Sequence, residues 1–148
     1  MDASEYRIAL RTVLDASSAT VARQLATIGG AVNGETDRVI IDVFVDQDGE
    51  GPFDVRARFD GPDAFALDRR FEEERALFGV LWGEEGWEPD VPARPAGWSR
   101  DELEEGVAHV VAEWLHGLIP AEASDLEWLL ASHDGAFEAI ALGPSARD

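Results

Sequence analysis

A chain of 148 residues, 45% of them apolar and with a formal net charge of −19, is long enough to bury its own core and too apolar to stay disordered. Its acidity repels a nucleic-acid backbone, which argues against direct DNA or RNA binding, and the lack of cysteine rules out disulfides and thiolate metal sites. No apolar run approaches the roughly 20 residues of a membrane span, and the opening M-D-A-S-E-Y-R has no apolar leader core, so a soluble, cytoplasmic, single-domain protein over residues 1–148 is expected.

From the N-terminus, Tyr6, Leu10, Val13, Leu14, Val21, Leu25 and Ile28 recur at helical spacing and predict one long amphipathic helix over 4–28, stopped by Gly29-Gly30. R-V-I-I-D-V-F-V-D (38–46) is β-branched. F-D-V-R-A-R-F-D (53–60) alternates apolar and charged residues, as a strand with one wet face does. The two segments read as an antiparallel hairpin, with Asp42 able to pair with Arg56 or Arg58 across it. A short helix is expected within 63–75 and a third strand over 76–82, with Trp82 at its buried end. Ser99 and Glu102 have capping-box spacing and open a second long helix, whose stripe is Leu103, Val107, Val110, Val111, Trp114 and Leu118. Around the D-G step at 134–135, residues 126–132 and 136–142 read as a second hairpin, with a helix over 124–132 as the alternative. The expected fold is α+β, an antiparallel sheet of four to five strands packed against two long amphipathic helices.

Four groups of residues invite a chemical reading. His109, Glu113 and His116 fall at i, i+4, i+7, a spacing compatible with zinc. They project opposite the apolar stripe of their helix, so a solvated face is expected instead. Asp46, Asp48, Glu50, Gly51 and Asp54 mimic the start of a calcium loop, but Ala57 stands where the bidentate glutamate belongs and the flanks read as strands. A glycine-rich turn is the expectation, with no metal and no cofactor. Ser132, His133 and Asp134 are consecutive, and neighbours on a hairpin point apart, so they form no triad alone. The fourth is the connection W-G-E-E-G-W-E-P-D-V-P-A-R-P-A-G-W, residues 82–98. There Trp87 and Trp98 are expected to anchor a proline-stiffened loop on the sheet; in the other reading Trp87, Glu84, Glu85, Glu88 and Asp90 form an exposed patch for a basic partner.

Small size, acidity, the missing catalytic motifs, arginine in place of every lysine and the helix start G-W-S-R-D-E-L together resemble the uncharacterised small acidic proteins of bacteria, some of which act as immunity proteins. That resemblance implies a non-catalytic module that binds a basic protein such as a toxin, without nucleic acid or membrane. The rival expectation is a small enzyme or ligand-binding protein with its pocket between the sheet and the second helix.

Overall fold

The computed structural model describes residues 2–32, 36–120, 126–133, 135 and 137–142. Helix α1 (Ala3–Asp15) opens on a reciprocal cap: Asp2 accepts from the Glu5 amide and Glu5 accepts from the Asp2 amide. The expected single helix is in fact two, with α2 spanning Ser18–Ala31. The break falls at the tandem serines. There the Ser17 carbonyl accepts from Val21 and the Ser18 hydroxyl accepts the Trp114 indole N–H at 2.8 Å. Each half keeps its predicted stripe, Tyr6, Leu10 and Leu14 on one and Val21, Leu25 and Ile28 on the other, all buried. Gly29-Gly30 does not stop the helix; both glycines lie within α2.

Strands β1 (Arg38–Val45) and β2 (Phe53–Asp60) form the expected hairpin, in register Asp42 opposite Arg56. The Asp42 carboxylate accepts from Arg58 Nε at 2.7 Å, the diagonal partner. Helices α3 (Ala64–Arg70) and α4 (Glu72–Arg75) replace the one short helix expected. The expected strand 76–82 is divided into β3 (Ala76–Phe78), which pairs with β2, and β4 (Leu81–Gly83), which instead pairs with β5 (Gly86–Glu88) in a separate two-stranded hairpin. Helix α5 (Arg100–His116) begins on the predicted Ser99–Glu102 capping box.

β6 (Glu127–Ser132) and β7 (Ile140–Ala141) complete a five-stranded sheet of order β3-β2-β1-β6-β7. The strand reading of 127–132 holds over the helical alternative, while residues 121–125 lie outside the described residues. The sheet is mixed rather than antiparallel, because β6 runs parallel to β1. A parallel neighbour requires a long crossover, and the chain between β1 and β6 supplies one, through β2, the edge hairpin and α5. One sheet face, with Val39, Ile41, Val43, Val55, Ala57, Trp128 and Leu130, joins Trp114, Leu103 and Leu115 in the core. The opposite face carries Phe44, Asp54, Arg56, Arg58 and His133.

Candidate functional site

The segment 82–98 combines anchors with an exposed projection. Trp87 is half-buried, its ring against Gly51, where an added Cβ would lie 3.0 Å from Cζ3 and 2.9 Å from the Pro92 carbonyl. Gly51 also has φ +153, so glycine is required there on both counts. Val91 enters the core, and the Arg94 amide donates to the Glu50 carbonyl at 2.8 Å. Trp98 is half-buried over Gly106, where a Cβ would stand 2.8 Å from its ring, and lies 5.2 Å from the Tyr6 ring. Trp87 thus sits against the β1–β2 turn, whereas Trp98 packs on α1 and α5 instead of on the sheet where it was expected.

Trp82 contradicts its expected place. It is 79% exposed, and Leu81 beside it is 76% exposed. The sequence A-L-F-G-V-L-W reads as one apolar run, but the chain leaves β2 after Phe78 and re-pairs as β4–β5, carrying Leu81 and Trp82 off the sheet. Trp82 stands opposite Trp87 in register, and Glu84 and Glu85 form the two-residue turn. Glu84, Glu85, Glu88 and Asp90 are all exposed around it. Of the residues of the alternative patch, Glu84, Glu85, Glu88 and Asp90 are exposed while Trp87 is half-buried, and the exposed tryptophan of the hairpin is Trp82.

Between this hairpin and the β1–β2 turn lies a cleft of about 270 Å³, lined by Phe44, Pro52, Phe53, Val80, Leu81, Trp82 and Trp87, with Asp46, Glu50 and Asp54 contributing carboxylates. Phe44 also lines a cleft of about 550 Å³ along β3 and another of about 440 Å³ over Arg56, Arg58, Arg75 and His133, so the three adjoin across the open sheet face. His133 stacks on Phe44 at 4.4 Å. The arginines of this face are engaged: Arg56 with Glu72 at 3.2 Å, Arg58 with Asp42, and Arg75 with Asp68 at 3.4 Å and the Ala57 carbonyl at 2.8 Å. Desolvation raises the Asp54 carboxyl above its ordinary range and the charge of Asp46 adds to this, while the Val80 amide and Arg56 oppose it.

Sequence reasoning missed a buried carboxylate, Glu104, which is 0% exposed on α5. It accepts from the Ser132 hydroxyl on β6 and from Arg100 Nη1 at 3.3 Å. Arg100 in turn donates to the Val45 carbonyl at 2.8 Å and the Asp46 carbonyl at 3.1 Å. This network ties the start of α5 to the ends of the two parallel strands and fixes the turn that carries Asp46. The available signal was the i, i+4 pair Arg100–Glu104 beside the apolar stripe.

The other candidates are not assembled. His109, Glu113 and His116 are exposed, and Glu113 is held by Arg11 at 3.0 Å. Asp46, Asp48 and Glu50 sit on the β1–β2 turn, closed by the Gly49 amide on the Asp46 carbonyl at 2.9 Å. Among the described residues no group of three His, Asp or Glu side chains is arranged to hold a metal ion, and no helix is long and apolar enough to cross a membrane. Ser132 turns to Glu104 and His133 to Phe44, on opposite sides of the sheet; Asp134 lies outside the described residues. The space between sheet and α5, where a ligand pocket was the rival expectation, is filled by Trp114, Trp128 and Leu130.

Fold and site together define an acidic, mixed α+β domain with one helix-covered sheet face, one open face and an aromatic hairpin at the edge. Over residues 1–146 the chain matches a family of unknown function, DUF6389, and it belongs to that family. No curated protein and no solved structure matches the chain.

Proposed function

We propose that this protein is a non-catalytic acidic interaction module that binds a basic protein partner through the β4–β5 hairpin. The carrying observation is the exposure of Trp82 and Leu81 on a hairpin ringed by Glu84, Glu85, Glu88 and Asp90. Leaving a tryptophan in water forgoes roughly 2–3 kcal/mol of burial, and two exposed large apolar side chains within a polar rim match the composition of an interface centre. Tryptophan is the residue type most enriched among binding hot spots. The surrounding carboxylates and the net charge of −19 speed encounter with a cationic partner and disfavour anionic ones. An immunity-like role, neutralising a basic toxin, is the specific form of this reading.

The test is capture from the native host at low salt with wild-type protein and with Leu81→Ser/Trp82→Ala, both checked for an unchanged circular dichroism spectrum. A stoichiometric basic protein retained by the wild type and lost by the variant is the expected outcome. Equal retention by both would remove the hairpin from the interface.

A further inference from the structure

The cleft beside the hairpin has a composition more specific than a generic docking surface. Phe44 and Phe53 line it on the sheet side and Trp82 and Trp87 on the hairpin side, with Asp46, Glu50 and Asp54 as its carboxylate-bearing residues. Its size, about 270 Å³, is that of a side-chain subsite rather than of a cofactor pocket. Among the described residues no arginine lines it, although the charge of Arg56 reaches Asp54. We infer that this cleft receives one arginine side chain of the basic partner, its guanidinium against the tryptophan rings and its N–H groups toward Asp46 and Asp54.

Three physical considerations select that occupant. An aromatic face attracts a cation, tryptophan most strongly. Guanidinium is planar and weakly hydrated, so it stacks on rings and gives up water more readily than an ammonium does. Two neighbouring carboxylates gain most from a cation placed between them; at Asp54 desolvation is the main cause of the raised carboxyl, and the nearby charge of Asp46 adds to it. A second copy of this chain fits poorly, since it brings −19 against −19.

The inference rests on the interaction-module reading, and its test separates the two. Wild-type protein is titrated with Nα-acetyl-argininamide, its neutral isostere Nα-acetyl-citrullinamide and Nα-acetyl-lysinamide, while the tryptophan indole N–H resonances are followed by NMR. The expected result is saturable shifts of Trp82 and Trp87 with argininamide, about tenfold weaker binding of citrullinamide, and intermediate binding of lysinamide. Asp54→Asn, which keeps an acceptor for the Val80 amide, and Asp46→Asn should each weaken argininamide markedly while the indole spectrum stays native. Citrullinamide or lysinamide binding as well as argininamide, or binding indifferent to both substitutions, overturns the arginine subsite. A basic partner that still requires Leu81 and Trp82 but not Asp46 and Asp54 would overturn the subsite alone and leave the hairpin interface standing.

Discussion

Tyr6 is the sole tyrosine of the chain, so its ionisation is directly readable. It is buried, and among the described residues its hydroxyl has no hydrogen-bond partner; desolvation raises its pKa well above the ordinary 10.0. The neutral phenol is therefore favoured in the folded state, a contribution present below pH 10.0 and lost as pH climbs above it. Absorbance at the tyrosinate band should rise only together with loss of the near-ultraviolet dichroism of folding; a titration near the ordinary value in folded protein would show the hydroxyl is hydrated. Because an unpaired buried hydroxyl costs roughly 1–3 kcal/mol, Tyr6→Phe should leave the denaturation midpoint unchanged or higher. Asp54 has the same sign of effect in the acid range. Its folded pKa lies above the ordinary 3.8, so folding is favoured with the carboxyl protonated, and that contribution is lost as pH rises through the folded value. Asp54→Asn should thus be neutral or slightly stabilising at pH 7, by less than about 1 kcal/mol because the site is partly solvated. The advantage should vanish in acid, as urea midpoints across pH would show.

At the scale of elements, the two hairpins and the long connection divide structural from exposed tryptophans. Trp98→Ala opens a gap between α1 and α5 over Gly106 and should cost about 3 kcal/mol, the low end for aromatic truncation because the ring is half-buried. Trp82→Ala removes only a cross-strand partner on an exposed hairpin and should cost less than about 1 kcal/mol. Equal losses in the two, measured by chemical denaturation, would contradict their assigned places. What the sequence revealed divides along the same line. Local chemistry was readable: the Ser99–Glu102 cap, the alternation of β2 and the apolar stripes of α1, α2 and α5 all depend on neighbours in the chain. The break at Ser17-Ser18 depends on Trp114 reaching across from α5. The parallel pairing of β6 with β1 depends on a crossover that periodicity does not encode. Trp82 was misplaced because an apolar run looks the same whether its end stays on the sheet or turns away at Gly79. Glu104 escaped notice because a charged residue beside an apolar stripe reads as solvated until Arg100 and Ser132 are seen around it.

At the scale of the molecule, 31 acids face 12 arginines, so negative charge is in large excess even where one arginine engages two carboxylates, as Arg11 and Arg38 do. Mutual repulsion then opposes compactness and is relieved by screening. The melting temperature should be higher in about 0.3 M than in about 0.01 M NaCl, where the Debye length is three times longer than at 0.1 M; a flat profile would mean that local pairs such as Asp42–Arg58 dominate. In the proposed function the same excess charge favours a basic partner, and salt is then a control in binding. We propose recognition of such a partner through Leu81 and Trp82. It is tested most directly by calorimetric titration of the captured partner into wild-type protein and into the folded Leu81→Ser/Trp82→Ala variant in the same low-salt buffer. Saturable binding to the wild type and a loss of about a hundredfold or more in the variant, as for a removed hot spot, is the predicted result; equal affinity for both would contradict it.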